Sequence, residues 1–149
     1  MSPKVSILIP TYNYAHYIGE AIESALNQTY TDFELIIVDD QSKDNTDEVV
    51  TRYLTDPRVK YYKNKVNLGL AANFNEALKF AKGEYIKYLL ADDLFHPALL
   101  EKMVLVLDQY PNVSLVTSKR DMFGSRNKSS ELPLLHLQEG KTVIYSSIK

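Results

Sequence analysis

The chain has 149 residues, of which 45% are hydrophobic and 24% charged, with a net charge of −2 and no cysteine. That size and apolar share suit one globular domain with a real core, and the lack of cysteine excludes a disulfide framework and any Cys-based zinc site. The balance of charge argues against a nucleic-acid footprint, and no stretch approaches the ~18 uninterrupted apolar residues of a membrane span.

The N-terminal run MSPKVSILIPTYN is too short for a signal-peptide core plus cleavage site. Val5 to Ile9, closed by Pro10, reads as a buried parallel strand. Ala15 to Gln28 places Ile18, Ile22, Ala25 and Leu26 at helical spacing. Phe33 to Val38 is a second strand. Asp44 or Asn45 can cap a helix to about Leu54 with Val49, Val50 and Tyr53 inward. Val59 to Tyr62 is a third strand. Gly69 to Lys82 reads as a helix, with Gly83 at its C-terminal position. Glu84 to Leu90 is a fourth strand, and Pro97 opens a helix ending near Tyr110. Val113 to Thr117 is expected to be a fifth strand.

This alternation predicts an α/β fold, a mainly parallel sheet flanked by helices. Residues 1–118 form the expected binding domain. Residues 119–149 are loop-rich and basic, with six Lys/Arg against three Asp/Glu, and end in a strand-like Thr142 to Tyr145. Without a closing helix, the sequence reads as a fragment of something longer, its C-terminal part missing.

Two aspartate pairs stand at the ends of strands: Asp39–Asp40 after FELIIV and Asp92–Asp93 after EYIKYLLA. Adjacent carboxylates repel and resist desolvation unless a cation or donors satisfy them. In an open α/β sheet, strand carboxyl ends form the ligand crevice. Two pairs there point to a cation-dependent site for a polar ligand, although either pair can also simply end a strand or cap a helix.

With these segments placed, the chain resembles the nucleotide-binding part of the family 2 inverting glycosyltransferases, which have the Rossmann-like GT-A fold. The likeness runs through VSILIPTYN at 5–13, LNQTYTDFELIIVDDQSKDNT at 26–46, NLGLAANFNEAL at 67–78, GEYIKYLLADD at 83–93 and the Pro97 helix. It implies transfer of a sugar from a nucleotide-diphosphate donor, a UDP-sugar first, to the hydroxyl of a saccharide or lipid-linked acceptor. It further implies a role in polysaccharide or cell-wall synthesis, in the cytoplasm or at the cytoplasmic face of the membrane.

Residue by residue, the resemblance assigns Asp40 to base reading: its carboxylate accepts from N3–H of uracil or thymine, whereas cytosine N3 offers only a lone pair. Guanine N1 also donates, so Asp40 alone does not separate uracil from guanine. Tyr12 can stack on the base or pack on the following helix. Pro10, Thr11 and Asn13 would line the base and ribose. Asn67 and Gly69 match a loop over the nucleotide, where Asn67 can bond the base and Gly69 admits close backbone approach; both also suit a plain helix start. Asp92 corresponds to the ribose ligand and Asp93 to the ligand of a Mn²⁺ or Mg²⁺ ion. The family often carries an acid two positions before that last aspartate, where this chain has Ala91. Asp39 and Asp44 are equally open to structural roles.

An inverting transfer needs a carboxylate to deprotonate the acceptor. Downstream of Asp93 stand Glu101, Asp108, Asp121, Glu131 and Glu139, and none carries a family motif, so the base is expected beyond residue 149. His16, His96 and His136 are too scattered to form a site. Two other classes compete with the transferase reading. A non-catalytic nucleotide-sugar-binding module shares every donor residue. A phospho-acceptor receiver domain needs acids after the first strand and a phospho-acceptor aspartate after the third, but these strands end in Pro10–Thr11 and Tyr61–Tyr62. A shortened fold is also expected to self-associate through exposed apolar surface.

Overall fold

The computed structural model describes residues 2–119, 121–123 and 128–129. The chain divides after Pro111 into two units. In the first, strands β1 (Val5–Thr11), β2 (Phe33–Asp39), β3 (Val59–Lys63) and β4 (Tyr85–Tyr88) alternate with helices α1 (Ile18–Leu26), α2 (Thr46–Thr51), α3 (Leu70–Phe80) and α4 (Leu99–Gln109). In the second, β5 (Asp121–Met122) pairs antiparallel with β6 (Lys128–Ser129).

The four strands of the first unit form one parallel sheet in the order β3-β2-β1-β4. Every residue of β1 and β2 is buried, which explains why both read as unbroken apolar runs rather than alternating ones. Alternation along the strands then sorts side chains to two layers. Val5, Ile7, Ile9, Leu35, Ile37 and Leu89 pack with Ile18, Ile22 and Ala25 of α1, Val50 of α2, and Leu100 and Val104 of α4. On the other face Leu8, Ile36 and Val38 meet Ala77 of α3. Tyr62 stacks on Phe80 at 3.8 Å and Tyr88 on Phe74 at 4.8 Å, fastening α3 over the sheet. The expected α/β fold is what forms.

Several boundaries differ from expectation. Helix α1 starts at Ile18 because Tyr14 O first accepts from Tyr17 N and Ile18 N in a turn. Pro97 stays in the turn before α4, where Leu99 N donates to His96 O. Strand β4 is shorter than Glu84 to Leu90: its ladder, which among the described residues runs along β1 alone, pairs only Tyr85 to Tyr88. The expected strand at Val113 to Thr117 does not form. Strand propensity needs a neighbouring ladder, and among the described residues this run has none and leaves Leu115 exposed. The expected strand at Thr142 to Tyr145 lies outside the described residues.

Gly83 has a different reason from the C-terminal helix position expected of it. A Cβ there would stand 2.4 Å from Ser6 N and 2.6 Å from Val5 C. The turn from α3 into β4 crosses directly against the start of β1, and only glycine fits. The same turn is held by a buried polar group. Ser6 Oγ donates to Glu34 Oε1, Lys60 Nζ donates to Glu34 Oε2, and the Lys82 amide donates to Glu34 Oε1.

Candidate functional site

The carboxyl ends of β1, β2 and β4 lie side by side with β1 in the middle, so β2 and β4 are about 10 Å apart. Asp39–Asp40 and Asp92–Asp93 therefore flank the end of β1 from its two sides.

The residues of the first pair part company. Asp39 is fully buried and faces β3 and α2. It accepts from the Ser42 amide at 2.9 Å, from Ser42 Oγ, and from the Tyr61 hydroxyl at 2.9 Å, with Lys63 Nζ at 3.5 Å. The Tyr61 hydroxyl also lies within hydrogen-bond reach of Asp47, which Lys63 pairs as well, so its single hydrogen is shared between the two carboxylates. Burial, then these two carboxylates, push the Tyr61 hydroxyl far above its ordinary range. Asp39 therefore has a structural role. Asp44 likewise accepts from the Thr46 amide and hydroxyl through Oδ1 and from the Ala15 amide through Oδ2. It holds the start of α2 and ties it to the loop after β1, while Asn45 at the cap position makes no side-chain bond.

Asp40 is 2% exposed and faces the other way. Its Oδ1 accepts from Asn64 Nδ2 at 2.8 Å and Leu68 N at 2.7 Å, and its Oδ2 accepts from Gly69 N at 2.8 Å. The Asn67 side chain donates to Asp40 O and accepts from Gly69 N, so it shapes this loop. Gly69 has φ +83°, and nothing described lies within 4 Å of where its Cβ would stand. The backbone angle, rather than crowding within the chain, calls for glycine here.

Of the residues at the end of β1, Pro10 is buried against Val38 in the ladder. Thr11 is 3% exposed and its carbonyl accepts from the Asp40 amide at 2.8 Å. Its Oγ1 is buried without a hydrogen-bond partner among the described residues, which costs about 1–3 kcal/mol unless a ligand supplies one. Tyr12 is exposed. Asn13, at φ +58°, donates its amide to Ser42 Oγ and accepts from the Lys43 amide. The loops after β1 and β2 are thus joined into one rim. Thr11, Asn13, Asp40, Asn67 and Gly69 come together through these bonds.

Asp92 and Asp93 are exposed, in a turn closed by Asp93 N to Leu90 O, and make no hydrogen bond to the Asp40 group. Among the described residues no three His, Asp or Glu side chains gather to hold a metal. A lone exposed carboxylate such as Asp93 still suits a hard cation that takes its other oxygens from a diphosphate.

Sequence reasoning missed three residues. Asn73 is buried on α3; its Nδ2 reaches Val38 O at 3.1 Å and Thr11 O at 3.5 Å, while its Oδ1 accepts from Asn64. A buried asparagine on the apolar face of a helix was the available signal. Asn64 gave none, since its role depends on where β3 ends. Lys87 sits half-buried in β4 over the Phe95 ring at 5.5 Å; burial pushes its ammonium below the ordinary range and the Asp93 charge opposes that. Its signal was a lysine inside an apolar strand.

Glu101 and Asp108 are engaged elsewhere. Glu101 accepts from Thr29 Oγ1. Asp108 pairs with Lys4 and accepts from the Tyr85 hydroxyl, at the opposite end of the sheet from the crevice.

Residues 6–146 match the Glycosyl transferase family 2 model. The chain belongs to this family. Proteins similar to it include an uncharacterized glycosyltransferase of Rickettsia typhi, 39% identical over 99% of this chain and 51% of the relative. Among solved structures, S. aureus TarS 1–349 in complex with UDP-GlcNAc superposes with TM-score 0.68 at 32% identity, over 71% of this chain and 31% of that one. The Pyrobaculum calidifontis mannosyltransferase PcManGT, in complex with GDP-Man and Mn²⁺, gives 0.66 at 31%, over 72% and 33%. The first unit is thus a family 2 module of GT-A type, and the chain spans about half the length of that Rickettsia relative.

Proposed function

We propose that this chain is the donor-binding part of a glycosyltransferase that moves a sugar from a nucleotide diphosphate to an acceptor hydroxyl with inversion. The observation that carries the reading is the Asp40 carboxylate. It is buried, oriented by donors of its own chain, and tied through its backbone amide to the Thr11 carbonyl at the end of the central strand. Family membership supports it. So do two neighbours, one solved with UDP-GlcNAc and the other with GDP-Man and Mn²⁺. Between those two nucleotides we favour uridine, and we place the reaction in the cytoplasm or at the cytoplasmic face of a membrane, on a saccharide or lipid-linked acceptor.

In this reading Asp40 accepts the base N3–H, Thr11 bonds the base or ribose, Tyr12 stacks on the base and Asp92 holds the ribose. Pro10, Asn13, Asn67 and Gly69 shape the walls. Asp93 would hold Mn²⁺ or Mg²⁺, which when bound neutralises the departing diphosphate. The acceptor oxygen bonds to the anomeric carbon as the bond to the diphosphate oxygen breaks, and the acceptor proton goes to a carboxylate base. Neither Glu101 nor Asp108 is placed for that task.

Calorimetry with UDP tests the reading. Binding is expected with Mn²⁺ and much weaker with EDTA, and Asp93→Ala should remove the difference. Equal affinity with and without metal would end the metal role. Asp40→Asn should weaken UDP and narrow its advantage over CDP; an unchanged preference would make Asp40 structural. With radiolabelled donor, transfer by these 149 residues should be negligible, because a positioned base contributes 10²–10⁴-fold and acceptor alignment more, roughly speaking. Robust turnover of one acceptor would mean that a base lies within residues 119–149, with Asp121 and Glu131 the first to mutate.

A further inference from the structure

We propose that Asn64, backed by Asn73 and faced by Gly69, orients the Asp40 carboxylate so that it can read one N–H of a nucleobase. The proposal rests on the donor-site reading above and assigns these residues a positioning role.

A carboxylate offers roughly four acceptor directions. In Asp40 both directions on Oδ1 are taken, by Asn64 Nδ2 and the Leu68 amide, and one on Oδ2 is taken by the Gly69 amide. Among the described residues, one direction on Oδ2 remains. The carboxylate is almost wholly buried, so it cannot turn to offer another without losing bonds it already makes. A group with one open acceptor direction suits one donor. Uracil N3–H supplies it, and cytosine N3 meets it with a lone pair.

What holds that direction is a chain of amides running back to the sheet. The Asn64 amino group has two hydrogens, and they go to Asp40 Oδ1 and to Asn73 Oδ1 at 3.0 Å. Rotating the amide would turn its oxygen onto the carboxylate and break both bonds. Asn73 is fixed in turn because its own amino group donates to carbonyls of β2 and β1, at Val38 and Thr11. Asn64 is anchored a second time by its amide, which donates to Asp39 O at 2.8 Å. On the far side, the Gly69 amide reaches Oδ2 only with the backbone at φ +83° and ψ 163°, a region open essentially to glycine. The otherwise exposed 65–69 loop is thus held by polar bonds to one carboxylate and, through Gln41 Nε2 to Lys65 O, to its neighbour.

A purely structural role would weaken all nucleotides alike. Orientation should instead show in the ratio between bases. The dissociation constants of UDP and CDP, with Mn²⁺ present, are to be measured by calorimetry for the whole chain, Asn64→Ala and Gly69→Ala, with melting followed by circular dichroism. Asn64→Ala should lose roughly ten- to a hundredfold in UDP affinity, the range for a hydrogen bond to a charged group. It should lose much less for CDP, so that the ratio collapses toward one. Gly69→Ala, with open space for its methyl group, should narrow the ratio while still melting cooperatively. Should Asn64→Ala fold and keep the wild-type ratio, or lower both affinities equally, the proposal is overturned. If Asn64→Ala fails to fold, Gly69→Ala decides, and an unchanged ratio overturns it. A wild-type chain that binds neither nucleotide removes the donor-site reading and this proposal together. A discriminating wild type beside equally discriminating variants removes only the proposal.

Discussion

Asp39 and Asp40 are neighbours with opposite duties, and strand geometry separates them: successive side chains leave a strand on opposite faces. Asp39 turns into the layer of α2, where Ser42, Tyr61 and Lys63 surround it, and Asp40 turns toward the 64–69 loop. Substituting them should therefore give different phenotypes. Asp39→Ala strands buried donors and is expected to cost about 3 kcal/mol of stability, measured by urea unfolding, while the folded fraction keeps its preference among nucleotides. Asp40→Asn should do the reverse, altering preference more than stability. Identical effects on both measurements would mean that the pair acts as one structural unit.

Among the elements, α4 depends on a residue far from it in sequence. Its cap residue Ala98 makes no side-chain bond; instead Gln28, buried just after α1, accepts from Leu100 N through Oε1. The Gln28 amino group donates to His96 O and Ser24 O. One amide thus satisfies a free N–H at the start of α4 and ties that helix to α1. Gln28→Ala should destabilise the fold by about 2 kcal/mol, the cost of leaving such groups buried and unpaired. Hydrogen exchange at Leu100 should speed up well before that at Ile7 or Ile36. The α3–β4 turn is equally demanding. Gly83→Ala drives a methyl group against the backbone of β1 and should cost about 3 kcal/mol by overpacking, read as a lower urea midpoint.

At the scale of the whole molecule, acid should act through Glu34. Burial alone would raise its carboxyl, but Lys60, Ser6 and the Lys82 amide more than reverse this and hold it below its ordinary 4.5. The stability it contributes is complete above that value. It is lost as pH falls through the lower value of the folded state. Urea midpoints should therefore drop below about pH 4.5, and Glu34→Gln should lower stability at pH 7 while flattening the acid limb. An acid limb unchanged in the variant would remove Glu34 as its source. Strand β4 pairs on one side only among the described residues, and Ile86 and Leu90 on and beside it are exposed. Open edges of this kind template association. Sedimentation should show average mass rising with concentration, and Ile86→Lys should suppress the rise.

What the sequence determined by itself was local. Unbroken runs such as VSILI and FELIIV specify strands buried on both faces, helical spacing specifies α1, and the end of each strand locates the aspartate pairs. The family was legible too, because its short motifs occur in order at fitting intervals. Tertiary structure decided which carboxylate of a pair faces which layer, since strand phase and the loop after β3 settle that together. It also decided that Gln28 caps α4, that Gly83 lies against β1 and that Asn64 and Asn73 stand behind Asp40. Each of these joins residues distant in sequence, and composition and periodicity carry no record of such contacts. Val113 to Thr117 shows the converse. Its residues favour a strand, but a strand exists only where a neighbour completes its hydrogen bonds, and that is a property of the fold rather than of the segment.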